Sequence, residues 1–142
     1  MKPALARGTR DLPPENAIIK QEIVETLKNN FEKFGFNPLQ TPMLEKFETL
    51  SSKYTGGVEI LKETFKLKDQ GKRDLGLRYD LTVPFSRFIV LNPQIKLPFK
   101  RYQIGRVFRD GPIKASRYRE FTQCDCDTVG VKSILADAEC VE

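Results

Sequence analysis

Apolar residues recur at Ala17, Val24, Leu27, Phe31 and Phe34, with Ile23 beside them. Gaps of three, four and seven put these positions on one face of a helix spanning about 14–34. Pro13-Pro14 suits its start and Gly35 its end. In residues 36–42, Pro38 and Pro42 bracket a short extended piece, which restricts it to a sheet edge or a strand end. Residues 43–63 read as partly helical, with a break at Gly56-Gly57. Phe65-Lys66-Leu67-Lys68 and Leu75-Gly76-Leu77-Arg78-Tyr79 both alternate, and Asp69-Gln70-Gly71-Lys72 lies between them, which predicts a β-hairpin.

Further along, Thr82 can cap a helix that begins near Pro84 and carries Phe85, Phe88, Ile89 and Leu91, with Asn92-Pro93 ending it. Residues 99–108 alternate as a long strand. Residues 110–118, with Gly111-Pro112, read as a loop, and 119–129 as a second strand. Gly130 ends that strand and Ser133 opens a last helix with no stop signal before Glu142. Strands joined by short loops predict an α+β fold: one mostly antiparallel β-sheet flanked by helices, in a single domain over 1–142.

Composition narrows the class. With 39% hydrophobic and 30% charged residues the chain can bury a core and is too apolar for disorder. The net charge of +5 permits an anionic partner without naming one. No run of eighteen apolar residues occurs, and the N-terminus lacks the apolar centre of a secretory signal. The expectation is therefore a cytoplasmic chain without a membrane partner. The three cysteines fit a reducing compartment. Cys124 and Cys126 lack the spacing of common zinc sites, so free thiols and no metal site are expected. The absence of histidine removes histidine-based acid–base chemistry and histidine metal ligation.

Chemistry concentrates between Lys100 and Arg119. The basic residues there are Lys100, Arg101, Arg106, Arg109, Lys114, Arg117 and Arg119, opposed only by Asp110. Such a strand–loop–strand unit suits a polyanion, since the guanidinium fork binds phosphate or carboxylate at two points; a solvated, scattered-charge hairpin is the alternative. Strand parity puts Gln103, Gly105 and Arg109 on one face, with Tyr102, Ile104 and Phe108 on the other as the expected core. On the second strand Arg119, Phe121, Gln123, Asp125 and Asp127 share a face. If the two polar faces coincide, they form a platform of cations, an amide and carboxylates around one ring; the register decides whether they do. Asp80, in Leu77-Arg78-Tyr79-Asp80-Leu81-Thr82, either binds an ammonium group or caps the next helix together with Thr82.

These residues carry a resemblance. Val107-Phe108-Arg109, a loop, and Arg117-Tyr118-Arg119-Glu120-Phe121 (within 99–129) resemble motif 2 of class II aminoacyl-tRNA synthetases, in the form found in histidyl-tRNA synthetases. Residues 14–42 resemble motif 1, which ends in a proline, here Pro42, at the dimer interface. Arg7-Gly8-Thr9-Arg10-Asp11 resembles the opening of histidyl enzymes, and the Asp80 segment resembles their histidine-binding stretch in its archaeal and eukaryotic form.

The resemblance implies a histidine–tRNA ligase reaction. The carboxylate of L-histidine attacks the α-phosphate of ATP to give histidyl-adenylate and pyrophosphate, and the histidyl group passes to the acceptor end of tRNA(His). Mg2+ accompanies the nucleotide, and the protein is a homodimer. By position, Arg109 is implied to grip the α-phosphate and the amino-acid carboxylate, Arg117 to reach the outer phosphates, and Phe121 to stack on adenine. Gln123 and Asp127 are implied to contact the histidine, and Asp80 and Thr82 to hold its amino end. Ser116 departs from the glycine the family commonly has there. Motif 3 and the anticodon-binding domain do not occur in the chain, so an incomplete catalytic domain that does not charge tRNA efficiently alone is expected. The rival readings are a non-catalytic regulatory or tRNA-sensing relative, an RNA-binding module, and a synthetase of another specificity.

Overall fold

The computed structural model describes residues 2–52 and 61–141. Helix α1 (Pro14–Lys33) begins after Pro13. It ends where Gly35 takes φ +75°, allowing the amides of Gly35 and Phe36 to turn back onto the carbonyls of Glu32 and Phe31 at 3.0 Å each. Strand β1 (Asn37–Pro38) follows, then β2 (Leu44–Lys46) and α2 (Phe47–Ser52). The expected hairpin is β3 (Lys66–Lys68) and β4 (Asp74–Leu77), and the expected break at Gly56-Gly57 lies outside the described residues. Helix α3 (Thr82–Leu91), β5 (Phe99–Phe108), β6 (Glu120–Val129) and α4 (Ile134–Val141) complete the chain.

The architecture is α+β, with two small sheets among the described residues instead of one. The first has the order β1-β5-β6, with β1 parallel to β5 at the edge and β6 antiparallel on the other side. The proline in β1 is tolerated there because an edge strand has one unpaired side. The second sheet, β2-β4-β3, is antiparallel throughout. Arg78 ties the sheets together. Its Nε donates to the carbonyl of Arg106 and its Nη1 to that of Thr41, both at 2.7 Å, and its own carbonyl accepts from the amide of Phe108 at 3.0 Å.

The two faces of β5–β6 are covered differently. Helix α1 lies on the face of Tyr102, whose ring stacks on Phe31 at 5.2 Å and whose hydroxyl donates to Glu32 at 2.8 Å. Lys20 reaches Thr122 on the same face at 2.6 Å. Arg78 and α3 cover the opposite face. The core is Phe36, Leu50, Leu81, Val83, Phe85, Tyr102 and Val107.

One expectation about the core needs correction. Tyr102 is buried as anticipated, but Ile104 and Phe108 are only partly so. The most enclosed residues of β5, Arg101, Gln103 and Val107, lie on the face read as polar. The cause is tertiary: Arg78 and α3 press onto that face, and the strand's own pattern carries no sign of them. Among the described residues no helix is long and apolar enough to cross a membrane.

Candidate active site

Each strand of the β5–β6 ribbon alternates its side chains, and the antiparallel register decides which rows meet. Arg101 stands opposite Asp127, Gln103 opposite Asp125, Gly105 opposite Gln123 and Val107 opposite Phe121. Opposed residues share a face, so the two polar rows coincide. The ladder continues past β5, where the Arg109 amide donates to the Arg119 carbonyl at 2.9 Å. Gly105 leaves the room that Arg78 needs: a Cβ there would lie 2.5 Å from Arg78 Nη2.

At one end of this platform the guanidinium of Arg109 sits between two rings, 4.3 Å from the centre of Tyr79 and 4.9 Å from that of Phe121. Its Nε donates to the Tyr79 carbonyl at 3.4 Å. Stacking engages the faces of the guanidinium, and an oxyanion is bound at its edges. Arg117, on the loop between the strands, reaches across to Glu63, donating to both carboxylate oxygens at 3.1 Å. Glu63 also accepts from the Tyr79 hydroxyl at 3.3 Å, and its carbonyl accepts from the amide of Asp110 at 2.7 Å. Burial pushes the Tyr79 phenol upward, opposed by Arg109 and reinforced by Glu63. Ser116, in the same loop, has φ +64°, the left-handed region that favours glycine.

Farther along the platform the amide of Gln123 donates to both oxygens of Asp125, at 2.9 and 3.1 Å, while its own Oε1 is buried without a hydrogen-bond partner among the described residues. Asp127 is ion-paired with the fully buried Arg101. The amide of Gln103 lies against Thr41 and Arg78, its oxygen placed to accept from Thr41 N at 3.1 Å and Arg78 Nη1 at 3.2 Å.

Asp80 and Thr82 sit at the start of α3, next in the chain to Tyr79. Asp80 Oδ1 accepts from the Val83 amide at 2.9 Å. The helix begins at Thr82 itself, so the preceding carboxylate does the capping expected of Thr82. Pro42 is exposed and follows Thr41, whose carbonyl accepts from Arg78.

Arg109, Arg117 and Phe121 therefore gather at one end of the platform, and Gln123 and Asp127 share its face. Sequence reasoning missed Glu63, Arg78 and Tyr79 as members of the site, and counted Arg101 only as part of a charge run. The parity that aligned Gln103 with Arg109 also aligns Arg101, and that signal was available. Glu63 has no comparable local signature.

A two-stranded antiparallel ribbon with an arginine at the end of its first strand, another in the loop and an aromatic ring on the second strand fits the catalytic-domain fold of a class II aminoacyl-tRNA synthetase. The family model for histidyl-tRNA synthetase matches residues 8–142, and the chain belongs to that family. It is 56% identical over 133 residues to histidine–tRNA ligase 1 of Bacillus thuringiensis subsp. konkukian, an alignment covering 94% of this chain and 31% of that protein. Among solved structures, it resembles an ATP phosphoribosyltransferase regulatory subunit/histidyl-tRNA synthetase from Bacillus halodurans, with TM-score 0.85 and 26% identity over 99% of this chain and 37% of the other. It also resembles histidyl-tRNA synthetase from Nostoc sp., with TM-score 0.81 and 30% identity over 96% of this chain and 31% of the other. The chain spans about a third of the length of these relatives.

Proposed function

We propose that this segment supplies the ATP-gripping and histidine-reading half of the active site of a histidine–tRNA ligase, which makes histidyl-adenylate and transfers histidine to tRNA(His). The observation that carries the proposal is the stacking of Arg109 between Tyr79 and Phe121 on the face that also bears Gln123 and Asp127. Arg109 holds the α-phosphate beside the attacking carboxylate and stabilises the charge that grows there, an effect often worth roughly 3–4 kcal/mol. Arg117 leaves Glu63 for the outer phosphates, and Phe121 carries the adenine.

The buried Oε1 of Gln123 accepts an N–H of the histidine, and Asp127 supplies a fixed negative charge. Asp80 and Thr82 receive the amino end, with Asp80 sharing its carboxylate between the Val83 amide and the substrate. The nucleophile arrives already ionised, so positioning and electrostatics suffice and no side chain has to act as a strong base. The region around Pro42 contributes to a homodimer contact.

Among the described residues no group of three or more histidine, cysteine, aspartate or glutamate side chains is arranged to hold a metal ion. The Mg2+ that accompanies ATP is assigned to the nucleotide phosphates.

A second reading follows from the likeness to the Bacillus halodurans protein, whose description includes a regulatory subunit: the fold without the ligase chemistry. Calorimetry with non-hydrolysable aminoacyl-adenylate analogues separates the two. The ligase reading expects the histidyl analogue to bind tighter than its leucyl counterpart. Equal affinity for both, or binding of neither, would reject it.

A further inference from the structure

Arg101 has no solvent exposure, yet it lies on the platform face of β5 and bears a positive charge. Its carboxylate partner is Asp127, directly opposite in the ladder and about one-third exposed. The Cζ of its guanidinium lies 4.3 Å from the centre of the Phe85 ring, on α3. Nε and Nη1 have no hydrogen-bond partner among the described residues. Burial pulls Arg101 below the usual guanidinium range and Asp127 opposes that pull, but an arginine stays charged at any ordinary pH.

A buried cation with unmet donors is poorly explained by stability. Taking an ion out of water costs several kcal/mol, and a buried ion pair replaced as a whole by apolar side chains of similar volume often leaves a core equally stable or more so. The arrangement makes sense if position is what matters. Arg101 touches both halves of the proposed histidine pocket: Asp127 through the ion pair, and α3, whose first turn follows Asp80, through Phe85.

We infer that Arg101 is a positioning residue that fixes the Asp127 carboxylate relative to the start of α3, and thereby sets affinity for the amino acid and not for the nucleotide. This rests on the histidine-pocket reading given above. Arg101 need not touch substrate. Its guanidinium holds the Asp127 carboxylate through Nη2 while its central carbon lies over the Phe85 ring, a combination that lysine cannot reproduce.

The test uses the 142-residue chain, its Arg101→Met and Arg101→Lys variants, and three readouts: thermal melting, and calorimetric titration with L-histidine and separately with ATP. Arg101→Met is expected to melt somewhat below the parent, because Asp127, about one-third exposed, keeps its charge without its partner. Histidine affinity should fall about tenfold or more, the scale of one hydrogen bond to a charged group, while ATP affinity stays within about twofold. Arg101→Lys should lie between parent and Met variant for histidine.

Equal loss of histidine and ATP affinity would mean general structural damage and overturn the inference. Unchanged histidine affinity in a folded Arg101→Met protein would overturn it while leaving the parent reading intact. If the parent chain itself binds no histidine, the pocket reading fails and this inference with it. Should Arg101→Met not fold, Arg101→Lys decides by the same comparison of histidine with ATP.

Discussion

The two faces of the β5–β6 ribbon are made from the same twenty residues and serve opposite ends. On the α1 face, Tyr102 stacks on Phe31 and returns its one polar atom to Glu32. On the other, Arg101, Gln103 and Arg78 are enclosed, Arg109 is clamped between rings, and several buried polar atoms lack partners among the described residues. Among the described residues the first face satisfies its buried polar groups internally apart from Thr128 Oγ1, close to what a packing surface should do. The second leaves some unmet, and buried polar groups of that kind are costly unless something completes them. The contrast teaches where stability and function separate: damage to the first should unfold the protein, and damage to the second should blind it.

The largest expected effect sharpens that contrast. Tyr102→Ala removes a buried ring from the α1 face and should cost about 3–5 kcal/mol, read by urea denaturation. Nucleotide affinity of the remaining folded fraction should be unchanged. The same residue gives the α1 face a pH limit. Burial, with the Glu32 carboxylate beside it, pushes the Tyr102 phenol up to about 12. A phenol titrating higher in the folded chain than the ordinary 10 contributes stability that is complete below pH 10 and lost as pH rises through about 12. Tyr102→Phe should flatten that alkaline decline in a pH series of melting temperatures.

Next in size is Gly105→Ala. The added methyl would press on Arg78, which cannot retreat without giving up its bonds to Thr41 and Arg106. A loss of about 1–3 kcal/mol is expected, together with weaker ATP binding, because Arg78 is followed directly by Tyr79 under Arg109. Full stability with full binding would break the comparison at its centre. The smallest effect belongs to Glu63→Gln. The Glu63–Arg117 pair is partly exposed, so stability should move by less than about 1 kcal/mol. Releasing Arg117 from a competing anion should tighten ATP binding by up to about fivefold in a calorimetric titration.

Much of this was legible from residue order alone. The ends of β5 and the C-terminal stop of α1 follow from alternation and from Gly35, both local signals. The coincidence of the polar rows on the two strands was posed as a condition, and the register met it. The burial of Arg101 and Gln103 was not legible. Charged and amide side chains on a strand ordinarily face water, and only Arg78 and α3, arriving from the second sheet, reverse that. That Asp80 alone does the capping expected of Asp80 and Thr82 together has another cause. Both types cap helices, and local geometry alone chose the carboxylate. Glu63 entered the site through a contact spanning 54 residues to Arg117, a distance over which no sequence period operates.

The most direct measurement is calorimetric titration of ATP into this chain and into its Arg109→Ala variant, with circular dichroism to show that both are folded. The account expects weak binding by the parent and a loss of about tenfold or more in the variant. Equal binding by the two proteins would place the nucleotide elsewhere and contradict the role given to the platform.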